Sequence, residues 1–244
     1  MTRLSVNINK IATLRNARGE DYPNLIKTAQ DIISFGAQGI TIHPRPDERH
    51  IRYSDAFELK EKINTELNIE GNPSKKFIDL VNTIKPEQVT LVPDSEDAIT
   101  SNAGWNTITN FSFLKDIVNE FQSNSIRVSI FIDPDIDMLE GAKKINADRV
   151  ELFTGPYAKV YNIDKSKAIE KYIKCSKVAN EINLDLNAGH DLNQDNLDFF
   201  IQSTKNIKEV SIGHALISES LYEGLHSTIK SYLDILKWKY FIQI

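Results

Sequence analysis

Cysteine is nearly absent: Cys175 is the only one in 244 residues. No intrachain disulfide and no cysteine-based zinc site can form, and the expected compartment is a reducing cytoplasm. No apolar stretch approaches the ~20 residues of a membrane span, and the first residues lack the apolar core of a signal peptide. A basic excess is missing too. With 29 Lys and Arg against 34 Asp and Glu the net charge is −5, which speaks against nucleic-acid and membrane-surface partners. Three chemical signatures are also lacking. Val6-Asn7-Ile8-Asn9-Lys10 holds no glycine, so the first strand is not followed by a dinucleotide fingerprint. There is no His-x-His pair and no His-Glu-x-x-His run, which argues against a catalytic metal. No lysine falls inside a predicted strand, which argues against an enzyme Schiff base.

What is present is an alternation of short apolar runs with helical periodicities. The runs at 4–8, 39–42, 67–70, 88–92, 127–132, 149–153, 184–187 and 209–212 read as strands, each followed by a helix-sized segment. Within that pattern the segment 9–22 reads as a polar loop, Ser54 as the cap of the helix after strand two, and Asp133 with Pro134 as the start of the helix after strand five. One continuous helix is expected from about residue 218. Eight such units in a chain of this length predict a single-domain α/β (β/α)8 barrel over 1–244, with 238–244 as a C-terminal tail; a doubly wound sheet is the runner-up. A weak internal echo links 35–43 with 145–153, which half-barrel duplication or shared helix-to-strand loop chemistry would each produce. The segment 93–110 is long for a connection and is a candidate lid.

The densest chemistry lies in Ile-Thr-Ile-His-Pro-Arg-Pro-Asp-Glu-Arg-His-Ile, residues 40–51. Pro44 and Pro46 make it a stiff loop rather than a helix start. Taken alone, this run is as readily a solvated charged turn as a site. In a barrel the active site forms at the carboxyl ends of the strands. Asn7, His43, Glu70, Asp133, Glu151, Asn187 with His190, and Gly213 with His214 all fall there. His226, in the last helix, reads as a surface or packing residue. Two carboxylates, several imidazoles and arginines around one mouth supply acid, base and anion-binding groups together. Guanidinium suits phosphate, and Gly213-His214 falls where many barrels hold a phosphate on backbone N–H groups.

Residues 6–19, His43-Pro44-Arg45-Pro46-Asp47-Glu48-Arg49-His50-Ile51, Glu70-Gly71-Asn72, Leu91-Val92-Pro93, Thr154-Gly155, Asn187-Ala188-Gly189-His190 and Ile212-Gly213-His214 together resemble the pyridoxine 5′-phosphate synthase family, in order and from the first strand to the last. The resemblance implies condensation of 3-amino-2-oxopropyl phosphate with 1-deoxy-D-xylulose 5-phosphate to pyridoxine 5′-phosphate, phosphate and water, with no metal or organic cofactor. It implies a homo-octamer whose partners are small phosphorylated substrates. Carried over by position, His43 and Glu70 look like general bases, His190 like a general acid, and Glu151 like a group that stabilises intermediates. Asn7, Asn9, Lys10, Arg18, Arg45, His50, Thr100, Asp191, Gly213 and His214 look like substrate contacts. The chain departs from the family pattern at Asn9-Lys10, where the family carries Asp-His, and at Asp191, where it carries Gly. Asp191 places a negative charge beside His190, which favours a protonated imidazole.

Two other readings stand beside this one. A sugar-phosphate epimerase or isomerase needs one phosphate site and one acid/base pair, whereas arginines in two loops suggest two anion sites. A non-catalytic barrel that binds a phosphorylated metabolite has no use for two carboxylates and two imidazoles facing one mouth, since burying them unpaired costs several kcal/mol.

Overall fold

Eight parallel strands close into a barrel in chain order: β1 (Arg3–Asn7), β2 (Gly39–Ile42), β3 (Glu66–Gly71), β4 (Gln88–Leu91), β5 (Arg127–Ile132), β6 (Arg149–Leu152), β7 (Asp185–His190) and β8 (Ile207–Ile212). The computed structural model describes residues 1–94 and 101–237. The last strand pairs with the first, Val6 opposite Ile212, so the expected (β/α)8 barrel is formed.

Alternation along each strand separates two environments. One face carries Leu4, Val6, Ile40, Ile42, Leu67, Ile69, Val89, Leu91, Val128, Ile130, Val150, Leu152, Val210 and Ile212, all fully buried in one apolar cluster with the helices. At roughly 25 cal/mol per Å² of apolar surface removed from water, this seam is the main stabilising layer. The other face fills the barrel with polar groups. Ser5 Oγ meets Thr41 Oγ1 at 2.7 Å, and Thr90 Oγ1 donates to Asn68 Oδ1 at 3.0 Å. Below them Gln88 Nε2 reaches across to Glu209 Oε1 at 3.3 Å while its Oε1 accepts from Arg127 Nε at 2.8 Å. Glu66 pairs with both Arg3 and Arg127 at the floor. Barrel interiors are usually packed with branched apolar side chains; this one is lined largely by polar side chains, many hydrogen-bonded to one another, although Ser129 Oγ, Ser211 Oγ and Glu151 Oε2 make no hydrogen bond among the described residues.

The helices that cover the barrel are α1 (Asn9–Asn16), α2 (Leu25–Ser34), α3 (Tyr53–Lys62), α4 (Lys75–Ile84), α5 (Phe111–Ser123), α6 (Ile136–Ile145), α7 (Gly155–Tyr161), α8 (Lys165–Glu181), α9 (Leu197–Ser203), α10 (His214–Glu223) and α11 (Leu225–Lys237). Several local expectations are corrected. The polar loop after β1 contains α1, because Ile11, Ala12 and Arg15 share a buried face that a polarity count conceals. The segment after β6 holds two helices, the short α7 before α8. The last helix is two, divided at Gly224, whose φ of 82° lies in the left-handed region. Asp55 rather than Ser54 closes the start of α3, accepting from Arg52 N at 2.7 Å. Asp135 rather than Asp133 caps α6, accepting from Asp137 N at 2.8 Å. Asp133 instead accepts from Gly104 N at 3.1 Å and pins the end of the long segment after β4. Lys208 lies inside β8, but at the end away from the mouth, 3.5 Å from Asp185. The echo between 35–43 and 145–153 has a local cause. Gly36 and Asn146 are both left-handed, and in each case the following amide bonds back five residues, Ala37 N to Ile32 O and Ala147 N to Ala142 O. Both are helix-terminating bonds of one kind.

Candidate active site

The carboxyl ends of the strands surround a cavity of 570 Å³. It brings together Asn7, Asn9, Lys10, His43, Arg45, His50, Glu70, Glu151, His190, Asp191, Gly213 and His214. Two expected substrate contacts are not among the lining residues. Arg18 is exposed just beyond α1, and Thr100 lies outside the described residues, as does most of the candidate lid's first half. Thr13, Val92, Ser101, Phe131 and Ser211 join the wall without having been singled out. Ser211 and Phe131 had a signal that went unused, since each is the next inward position below a strand end. Arg49 also lines the cavity and pairs through Nε with Asp47 Oδ2 at 2.7 Å.

The loop after β2 is built from its own sequence outward. Pro44 lies in irregular chain behind His43, Pro46 opens a turn closed by Glu48 N donating to Arg45 O at 2.9 Å, Glu48 has φ of 52°, and Glu48 Oε1 accepts from Tyr53 N at 2.8 Å. From the other side α1 locks the loop down. Arg15, 3% exposed, donates to both oxygens of Asp55 at 2.7 and 2.8 Å, and Asn16 Nδ2 donates to His50 O at 2.8 Å. The helix absent from the expectation is therefore what fixes His50. The imidazole of His50 accepts the Ile51 amide at Nδ1, 2.9 Å, which leaves its Nε2 as the donor. Burial, helped by Arg45, Lys10 and Arg49, lowers its pKa to about 4, so this neutral tautomer persists. Arg45 donates to Asp94 Oδ2 at 2.7 Å, and Ser101 Oγ lies 2.7 Å from the same oxygen. The segment after β4 is thereby tied to the loop after β2.

Asn7 and Asn9 organise the first carboxylate and the first histidine. Asn9 Oδ1 accepts the His43 amide at 3.0 Å, and Asn7 Oδ1 accepts the Asn9 amide at 3.0 Å. Only an oxygen is required of residue 9 in that bond, and an amide supplies it as well as a carboxylate does. Asn7 Nδ2 reaches Glu70 Oε2 at 3.4 Å, and His43 Nδ1 stands 3.9 Å from that oxygen.

Environment sets the protonation of each group. Burial first, then the positive charges of Arg45, His50 and Arg49, depress His43 well below an ordinary imidazole, so it is neutral at pH 7. Burial raises the Glu70 carboxyl to about 7, although His190 pulls it down. Glu151 is raised well above the usual range by burial and by Glu70 and Glu209, which holds it as a neutral acid. His190 is raised: burial opposes its charge, but Asp191, whose Oδ2 is 2.9 Å from Nδ1, and Glu70 favour it. One mouth thus holds a neutral imidazole, a carboxyl titrating near neutrality, a protonated carboxyl and a charge-stabilised imidazole. At its rim α10 begins at His214 after Gly213, presenting a helix N-terminus where anions are favoured. Among the described residues no group of three or more His, Cys, Asp or Glu is arranged to hold a metal ion.

Solved structures similar to this chain include 3-keto-L-gulonate-6-phosphate decarboxylase from Vibrio cholerae, with TM-score 0.65, 9% identity, and coverage of 97% of this chain and 98% of that one. Phosphoribosylanthranilate isomerase from Thermotoga maritima has TM-score 0.61 at 14% identity, covering 98% of this chain and 100% of the other. At these identities the likeness concerns the fold alone. Sequence relatives are far nearer. Pyridoxine 5′-phosphate synthase of Flavobacterium johnsoniae is 60% identical over 237 residues, 97% of this chain and 100% of that protein. The protein of the same name from Cytophaga hutchinsonii is 59% identical over the same shares. Residues 4–238 match the family profile described as pyridoxal phosphate biosynthesis protein PdxJ. The chain belongs to this PdxJ family, the pyridoxine 5′-phosphate synthases of vitamin B6 biosynthesis.

Proposed function

We propose that this mouth closes the pyridine ring by passing protons among His43, Glu70, Glu151 and His190 while two phosphates are held apart. The reaction joins the amine of 3-amino-2-oxopropyl phosphate to the ketone of 1-deoxy-D-xylulose 5-phosphate, moves protons on and off carbon, and expels phosphate and water. The observation that carries the assignment is the neutral His43 imidazole 3.9 Å from a Glu70 carboxyl whose pKa is about 7. An unprotonated imidazole beside a carboxyl that titrates near neutrality gives the mouth two groups able to accept protons at physiological pH. Glu151, neutral and buried, offers a hydrogen bond to negative charge that develops on substrate oxygen. His190 delivers protons to departing oxygen. Lys10, Arg45 and the Nε2–H of His50 suit one phosphate, and Gly213 with His214 at the start of α10 suit the other. Asn7 and Asn9 act first as the frame for Glu70 and His43.

The decisive experiment mixes chelator-treated protein with both substrates and follows pyridine absorbance and phosphate release. Turnover is expected in wild type and a loss of at least a hundredfold in His43→Gln. Binding of both substrates without turnover would sink the reading. No helix of the described residues is long and apolar enough to cross a membrane. The reading places the enzyme in the cytoplasm as a homo-oligomer, in keeping with its single cysteine and with exposed Leu221 and Tyr222; sedimentation of the purified protein at a monomer mass would count against the assembly.

A further inference from the structure

The end of β7 bends in a way that brings two consecutive side chains face to face. His190 has φ of 40°, in the left-handed region that strains a residue bearing a side chain. The turn it starts is closed by Leu192 N donating to Gly189 O at 3.0 Å, and Asn196 Nδ2 holds the Asp191 carbonyl at 3.2 Å. Within this frame Asp191 Oδ2 stands 2.9 Å from His190 Nδ1. Its other side is closed by Gly155, where an added Cβ would come within 3.1 Å of the same oxygen. The Phe153 ring meets the imidazole edge to face, 5.5 Å between centroids and 86° between planes. The ring is gripped from two directions, and the carboxylate is only half exposed.

We propose that Asp191 is a positioning residue for His190: it holds the proton on Nδ1, fixes the ring against Phe153, and so commits Nε2 to protonating the oxygen that leaves the substrate as water. The inference rests on the reading of His190 as general acid and deepens it. In the step concerned a base in the mouth takes a proton from substrate carbon and that C–H pair becomes the new C=C bond. The C–O bond breaks toward oxygen, and the Nε2 proton completes the water. His190 is left neutral, its remaining proton on Nδ1 beside the Asp191 carboxylate. Among the described residues this pair is faced by Glu70 from β3 and Asp94 after β4, both acting to retain the imidazolium, and by Lys159 from α7 and His214 from α10, both acting on Asp191. Glu70 and Asp94 also face His190, but Asp191 stands 2.9 Å from its Nδ1 and acts on it most strongly of the three, so its removal should dominate.

The test combines an NMR titration of the His190 imidazole in the full-length protein with turnover pH profiles, for wild type, Asp191→Asn and Asp191→Glu. In Asp191→Asn the proton affinity of His190 should fall on the order of tenfold. The alkaline limb of kcat should move to lower pH by the same amount, with KM for both substrates within about twofold of wild type. Asp191→Glu should recover part of both shifts. An unchanged imidazole titration in Asp191→Asn overturns the proposal. So does a raised KM with an unmoved limb, because Asp191 would then be touching substrate. Separately, full turnover in His190→Gln would remove the general-acid reading whatever the NMR titration gave, so the two failures are told apart.

Discussion

At the scale of single residues, the site works because burial moves proton affinities in opposite directions within a few ångströms. His43 is pushed well below an ordinary imidazole and Glu70 up to about 7, so the first is unprotonated and the second titrates at neutral pH. Glu70 carries a consequence for stability whose sign follows from its shift. The folded carboxyl holds its proton more tightly than an ordinary one at 4.5, so the stabilisation is present below about 4.5 and is lost as pH rises through about 7. Glu70→Gln, which keeps the shape of the protonated acid, should therefore be more stable than wild type at pH 8 and indistinguishable from it near pH 4, as read by urea unfolding at the two pH values. The same variant should lose about 10²–10⁴ in kcat, and the acidic limb near pH 7 should vanish from its profile. Retention of that limb would assign it to another group. The identities of these residues were legible in the chain because a barrel places its chemistry at strand ends. Their protonation was not, since burial is a property of everything packed around the group.

At the scale of elements, α1 does what the loop after β2 cannot do alone. The prolines stiffen that loop, but its carbonyl at His50 and the Asp55 carboxylate in the first turn of α3 are held by Asn16 and Arg15 from α1. Removing a buried partner strands a charge, so Arg15→Met should cost about 3–5 kcal/mol of unfolding free energy. Arg15→Met combined with Asp55→Leu should recover part of it. Both should raise KM, because His50 O loses the Arg15 Nη2 donor at 3.3 Å and the ion pair that sets α1 against the loop; a KM equal to wild type in the single variant would show that the loop holds without Arg15. β7 and β8 meet just as closely. A Cβ at Gly189 would lie 2.1 Å from Ser211 O, a backbone atom that cannot step aside. Gly189→Ala should destabilise by roughly 1–3 kcal/mol and disturb His190 next to it, measurable as a lower urea midpoint together with lower kcat. The sequence shows the glycine in its motif but not the carbonyl against which it packs. Likewise α1 was hidden, because its buried face of Ile11, Ala12 and Arg15 includes a charged residue that periodicity counts as polar.

At the scale of the whole molecule, the barrel separates its tasks between two faces of one sheet. The outer seam of Ile, Val and Leu supplies the apolar burial, and the inner face supplies a continuous polar lining from Glu66, Arg127 and Gln88 up to Glu70 and Glu151. Such a lining stays folded only when its charges are compensated across the barrel. Glu209, 2% exposed, accepts from Gln88 and faces Arg149 at 3.9 Å. Arg149→Met should therefore destabilise by about 3–5 kcal/mol, and Arg149→Met with Glu209→Gln should be markedly more stable than the single variant in urea unfolding. Equal stability of the two would mean that the floor charges are not coupled.

The sequence by itself determined the alternation of strand and helix, hence the barrel, and through it which residues stand at the mouth: His43, Glu70, Glu151, His190 and Gly213-His214 follow from strand ends that local patterning marks. It also marked the stiff loop at 40–51, because proline restricts its own backbone whatever surrounds it. Tertiary structure decided the rest. That Asp135 and not Asp133 caps α6, that Arg18 is not among the residues lining the cavity while Ser101 is, and that the barrel interior is largely polar depend on contacts between residues far apart in the chain. So do the proton affinities of His43 and Glu70, because a charge is stabilised or expelled by its whole surroundings, and those exist only once the eight strands have closed.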